Sequence, residues 1–227
     1  MSVLLLRLAG PMQSWGVQSR FGVRDTGLEP SKSGVVGLLC AALGRRRDEP
    51  LEDLVALRMA VRVDREGILQ RDFHTAKDVL KASGGIKDTE VSTRYYLADA
   101  RFLVGLESGD LHLLQQLHAA LRDPRWPLFL GRRAFVPGKP VWLADGLRPH
   151  EPLLGCLTAY PWVACKREAA RRPDQLRLVV QDDEAGAEVR PDRPLSFAGR
   201  RFAPGRVRTS FIPAPAYQED ELCTCPD

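Results

Sequence analysis

Arg58-Met59-Ala60-Val61-Arg62-Val63-Asp64 alternates apolar and charged side chains. Residues two apart on an extended chain share a face. Met59, Val61 and Val63 therefore fall on one side, and Arg58, Arg62 and Asp64 on the other. That is the pattern of a strand with one face in a core and one toward water. Residues 68–75 predict its antiparallel neighbour. Upstream, Ser31 or Ser33 caps a helix that runs to Leu43, where Gly44 stops it. Its interior, Val35 to Leu43, is apolar nearly all round, as expected for a helix buried against a sheet, and Gly37 is read as allowing close packing onto that sheet. Val3 to Leu8 is a short apolar run ended by Gly10-Pro11, a buried first strand. Residues 10–30 form a structured loop.

Downstream, residues 76–94 have weak periodicity, many charges and a Gly84-Gly85 break. Tyr95 to Leu106 returns to a strand pattern. Asp110 caps a second helix with Leu111, Leu114, Leu117 and Leu121 at helical spacing, closed by Asp123-Pro124. Trp126 to Leu130 reads as a further strand before Gly131-Arg132-Arg133. The order strand, helix, strand, strand, helix, strand predicts an α+β, ferredoxin-like (RRM-like) domain over residues 1–139, with a thumb inserted at 76–94. Residues 140–227 hold short strand candidates at Lys139–Leu143, Leu176–Gln181 and Arg206–Ile212 between Pro-rich stretches, and predict a smaller β-rich region with an acidic tail.

The 227 residues are 44% hydrophobic and 27% charged, an ordinary globular composition. No apolar run reaches the roughly 18 residues of a membrane span. Met1 to Leu8 is too short, and broken too early by Arg7, for a secretory signal, so a cytoplasmic location is expected. Of five cysteines, only Cys223 and Cys225 are closely spaced, and no second pair completes a zinc set, so neither metal nor other cofactor is expected. Charge is unevenly spread. Residues 1–124 carry 17 Lys/Arg against 16 Asp/Glu, residues 125–208 carry 16 against 9, and residues 209–227 carry none against 4. Of the 16 cations in the middle block, 14 are Arg, whose planar fork suits phosphate and stacks on bases. A polyanion partner and a plain solvated face both fit that distribution.

Two features fit RNA. One is the loop bearing Gln13, Ser14, Trp15, Arg20, Phe21, Arg24 and Thr26, together with Lys32 and Ser33 at the helix start: a flat aromatic, hydrogen-bonding groups, cations and free N–H groups. The other is the insertion, with Lys77, Lys81, Lys87 and Arg94 followed by Tyr95 and Tyr96. Arg132 and Arg133 are expected on phosphates. The aromatic RNP pattern of RRM sheets is missing from the central strands, so loops, insertion and helix start are the expected contacts. His112 and His118 lie on different faces of the second helix. His74 stands beside Lys77 and Lys81, which leaves open an acid/base role in RNA cleavage, with a lysine stabilising phosphate charge. No P-loop, nucleophile elbow or His-Glu-X-X-His occurs.

Arg7-Leu8-Ala9-Gly10-Pro11-Met12-Gln13-Ser14-Trp15-Gly16 resembles the N-terminal signature of the CasD family, the fifth Cas protein family in subtype I-E. The resemblance continues in Pro30-Ser31-Lys32-Ser33-Gly34-Val35-Val36-Gly37-Leu38-Leu39, Asp72-Phe73-His74-Thr75, Arg94 to Phe102 and Leu128-Phe129-Leu130-Gly131-Arg132-Arg133, in order across residues 1–133. It implies a ferredoxin-like domain with a thumb. It also implies a non-catalytic subunit of the CRISPR surveillance complex Cascade, bound to the 5′ handle of CRISPR RNA, to the backbone subunits and large subunit, and through the complex to target DNA. In a related subtype the homologous subunit is itself a metal-independent endoribonuclease using a Tyr, a Lys and a His, so His74 and Lys77 carry the alternative.

Overall fold

Ser2–Ala9 (β1) is buried along its whole length, on both faces. Its neighbours explain why. The computed structural model describes residues 1–17, 22–164, 168 and 170–218. In chain order, β1 is followed by Met12–Gln13 (β2), Val23–Arg24 (β3), Lys32–Leu43 (α1), Glu52–Val55 (α2), Arg58–Arg65 (β4), Ile68–Leu80 (β5), Ile86–Ala98 (β6), Arg101–Ser108 (β7), Leu111–Arg122 (α3), Leu147–Arg148 (β8), Leu153–Ala159 (α4), Gln175–Gln181 (β9), Glu188–Ser196 (β10) and Arg201–Pro213 (β11). One antiparallel sheet has the order β10-β11-β9-β4-β7-β1-β8, and a smaller one joins β2, β6 and β3, with β5 on β6.

On one face of the large sheet, Leu4, Leu6 and Leu8 of β1, Val61 and Val63 of β4 and Phe102 and Val104 of β7 pack with Val35, Val36 and Leu39 of α1 and Leu114, Leu117 and Leu121 of α3. Ser31 caps α1, its Oγ accepting from Gly34 N, and Gly44 ends it at φ 74°, a left-handed stop that favours glycine. Asp110 caps α3 through Leu113 N. On the other face, Val3, Leu5, Ala60, Leu103, Leu178 and Val180 pack under Leu153, Cys156 and Leu157 of α4.

The expectation for β4 is therefore corrected on its charged side. Arg62 and Asp64 face no water; both side chains are fully buried and paired. The guanidinium donates through Nε and Nη2 to the Asp64 carboxylate (2.6 and 2.7 Å) and to the carbonyls of Leu157, Tyr160 and Pro161 (2.6, 2.6 and 2.8 Å). All five guanidinium donors thus find an acceptor. Asp64 accepts in turn from Val163 N, so the pair ties residues 157–163 to the sheet. Burial pushes the Asp64 carboxyl up, against the pull of Arg62.

Three further expectations change. Residues 68–75 do not pair with β4. Gly67, at φ 76°, turns the chain away, and β5 pairs with β6 from Ile68↔Ala98 to Leu80↔Ile86. Residues 68–98 thus form a long hairpin, turned by Gly84 and Gly85 at φ 87° and 79°. Tyr95 to Leu106 is two strands in two sheets, broken at Asp99 (φ 56°). Trp126 to Leu130 is irregular: Pro124 and Pro127 lack donors, and Arg125 N and Trp126 N donate to Ala42 O and Ala41 O at the end of α1. The edge beside β1 is taken instead by β8 and by residues 141–146, where Arg7 N donates to Val141 O and Leu5 N to Gly146 O. Beyond residue 140, β9, β10 and β11 extend the large sheet, with β9 pairing directly with β4.

Candidate nucleic-acid interface

Within Gly10–Gly16, Gln13, Ser14 and Trp15 turn inward. Gln13 is fully buried, its Nε2 donating to Leu8 O (3.2 Å) and Ala100 O (2.7 Å), its Oε1 accepting from Trp15 Nε1 (3.2 Å). Trp15 is 1% exposed, and a methyl on Gly34 would meet its ring at 2.8 Å. Ser14 Oγ donates to Asp25 O and Tyr95 O, and Ser14 N to Leu130 O. Buried side chains whose polar atoms are paired within the chain have nothing left for RNA. The contacts expected of Gln13 and Trp15 are corrected accordingly: the two residues lock the first strand, the hairpin root and the Leu130 loop together. Gly131, at φ 88°, passes so close that a Cβ there would lie 1.6 Å from Ser14 O.

Lys32 is also internal. Its Nζ donates to Leu57 O and Gln181 Oε1, and its backbone N–H donates to Asp192 Oδ2 at 2.7 Å. Burial, with Arg193 nearby, lowers its pKa to about 8, and burial also raises the pKa of Asp192. A phosphate contact by Lys32 is corrected on the same ground. Ser33 is half-buried, its Oγ 3.4 Å from Ser31 Oγ.

Three of the remaining candidates gather at the root of the hairpin. Arg24 on β3 lies beside Arg94 on β6 in parallel register, and Asp72 stands opposite Arg94 on β5. Arg94 Nε donates to Ser92 Oγ. Arg132 is half-buried over the Phe135 ring, and its Nη2 donates to Arg24 O (3.1 Å) and Asp25 O (3.3 Å). Its pKa is lowered by burial first, then by the charge of Arg94, with Arg24 adding to the same effect. Asp25 and Asp72 act on Arg132 in the opposite sense, so three arginines against two carboxylates leave this corner with an excess of positive charge suited to phosphate. Arg133 is exposed next to it. Tyr95 is half-buried, and Tyr96 packs tilted against Phe135.

Along the arm, Lys77 and Lys81 are exposed and Lys87 pairs with Glu90. His74 Nδ1 lies 3.5 Å from Asp72 Oδ2. The register is regular from His74↔Ser92 to Lys77↔Thr89, so His74 and Lys77, three residues apart, lie on opposite faces of β5. Lys81 is seven residues from His74 and lies beyond the end of β5. The face of the large sheet opposite α1 and α3 is covered by α4. Among the described residues no group of three or more His, Cys, Asp or Glu is placed to hold a metal, and no helix is long and apolar enough to cross a membrane. Arg20, Phe21, Cys223 and Cys225 lie outside the described residues, as does the acidic tail from residue 219.

Residues 3–212 match the family of CRISPR-associated proteins described as Cas_Cas5. The chain belongs to the Cas5 family. It is 39% identical over 159 residues to the CRISPR system Cascade subunit CasD of Escherichia coli (strain K12), covering 63% of this chain and 70% of that protein. A solved structure titled "Crystal structure of Cas protein" superposes with a TM-score of 0.77 at 44% identity, covering 94% of this chain and 98% of that one. A chain of a "CRISPR RNA-guided surveillance complex" does so with a TM-score of 0.78 at 36% identity, covering 94% and 91%. The Cas5 match runs on through β9 and most of β11, past the motif blocks that end at Arg133.

Proposed function

We propose that this Cas5 protein is a non-catalytic subunit of a type I-E CRISPR surveillance complex, Cascade. It binds the 5′ handle of CRISPR RNA and caps the backbone filament, touching backbone subunits and large subunit. The observation that carries the RNA contact is the arginine corner of Arg24, Arg94 and Arg132 at the base of an exposed hairpin. Its setting in a relative of CasD supports the assembly. We read β1-α1-β4-β7-α3-β8, with strands ordered β8-β1-β7-β4, as a ferredoxin-like unit. The β5–β6 hairpin is its thumb, while β9, β10 and β11 extend its sheet and α4 covers its second face.

Replacing Arg24, Arg94 and Arg132 with Ala is expected to weaken RNA retention and to lower the salt slope by about 2, given a slope near 0.7 per phosphate on a single strand. An unchanged slope removes the corner from the interface. Endoribonuclease action through His74 and Lys77 is disfavoured by their placement on opposite faces of β5. Incubation with repeat RNA in EDTA decides it: cleavage that His74→Ala abolishes overturns the non-catalytic reading.

A further inference from the structure

A cleft of about 410 Å³ runs along the outer side of α1, within the roughly 300–1,000 Å³ typical of ligand sites. Its floor is Ser33, Gly34, Gly37 and Ala41. The sequence reading gave Gly37 to helix–sheet packing, but a methyl there would point into this cleft, 3.7 Å from Phe197 Cζ. Trp126 and Phe129 form one wall and Phe197 the other. Trp126 is 41% exposed and Phe129 36%, high for rings of their size.

The walls are held in place. Trp126 N donates to Ala41 O (3.1 Å) and Ala198 N to Arg47 O (3.1 Å), while Phe197 meets Phe202 edge-on. One rim carries Arg45, Arg46 and Arg47. Arg45 is committed to Asp53. Arg46 is 75% exposed and only loosely paired with Asp48, at 3.4 Å. Arg47 has no ion pair among the described residues. The far end of the cleft is Gly131, one residue from Arg132 in the arginine corner.

Aromatic walls, a floor without bulk, and cations at the rim are what an unpaired nucleotide requires: faces for the base and charge for its phosphates. We infer that the cleft between α1 and Trp126–Phe129 takes one splayed nucleobase of single-stranded RNA, with its flanking phosphates on Arg46 and Arg47. The inference rests on the RNA-binding reading above and extends the RNA path from the arginine corner across Gly131.

The test uses the full chain and a fluorescein-labelled single-stranded CRISPR repeat RNA, intact or with one abasic site moved along it. One abasic position is expected to weaken binding by about five- to a hundredfold, the range for one stacked base. Trp126→Ala with Phe129→Ala is expected to lose a similar factor on intact RNA and nothing further on that abasic RNA. Gly37→Leu fills the cleft while keeping both aromatics and improving helix propensity, and is expected to behave the same way. Variants that lose affinity equally for intact and abasic RNA overturn the slot, as does indifference to every abasic site. Unchanged RNA affinity in Gly37→Leu, with failure to join partner subunits, overturns it too and gives the cleft to a protein side chain. If the wild-type chain retains no RNA, the RNA reading itself fails. If Arg24→Ala and Arg132→Ala release RNA that the cleft variants keep, only the slot fails.

Discussion

Arg62→Met removes a cation that is wholly enclosed. Asp64 then keeps only the Val163 N–H, and the carbonyls of Leu157, Tyr160 and Pro161 lose their donor. Breaking one side of a buried pair costs about 3–5 kcal/mol, because the other charge stays in the interior unpaired. Domains of this size lose roughly 2–4 °C of melting temperature per kcal/mol. The expected drop, followed by circular dichroism, is therefore about 6–20 °C. Arg62→Met with Asp64→Leu replaces both charges by apolar groups and is expected to recover part of that loss, leaving a positive coupling in the double-mutant cycle. The three abandoned carbonyls keep recovery from being complete. A drop under about 3 °C for Arg62→Met, or additive losses in the cycle, refutes the account of this pair as the fastening between β4 and residues 157–163.

Stability is expected to depend on Lys32 in alkaline solution. Its folded pKa is about 8 against an ordinary 10.5, so between these values the unfolded chain holds the extra proton and stability rises with pH. The full rise is about 3 kcal/mol, and urea midpoints at pH 7.5 and 10 should show it in the native protein but not in Lys32→Met; equal slopes in both exclude Lys32 as the source. Gln13→Ala strips a buried amide from Leu8 O, Ala100 O and Trp15 Nε1, and is expected to cost about 1–3 kcal/mol. Its RNA affinity per folded molecule should stay native; a specific loss of RNA affinity at unchanged melting temperature would show that Gln13 does reach the ligand.

The elements of the first half were legible because a core imposes its period on them. Val35 to Leu43 and the leucines of α3 are where their spacing puts them. The long hairpin was not legible as strands, because it stands clear of the core. β5 is exposed over most of its length, so no buried face selects alternate residues for hydrophobicity. Arg62 and Asp64 misled in the opposite way: a two-residue period of charge reads as a wet face unless the opposing layer is known, and that layer arrives about a hundred residues later. The same distance hid the continuity of β9 with β4. The signature at Gly10–Gly16 marked the family without marking a contact surface. Invisible in composition was the convergence of Arg24, Arg94 and Arg132, three positions that only strand register and the Gly131 turn bring together.

The pairing of β9 with β4 also sets a timetable for synthesis. A chain emerging from the ribosome completes β1, α1, β4, β7 and α3 early, yet β4 then ends the sheet with an unpaired edge, and its Arg62 has neither the 157–163 carbonyls nor α4 above it. Residues 175–181 and 201–213 must still appear. At about 5–20 residues per second, the interval from residue 122, the end of α3, to residue 181, the end of β9, is roughly 3–12 s. For those seconds the nascent chain presents an open strand edge, a template on which another chain can pair.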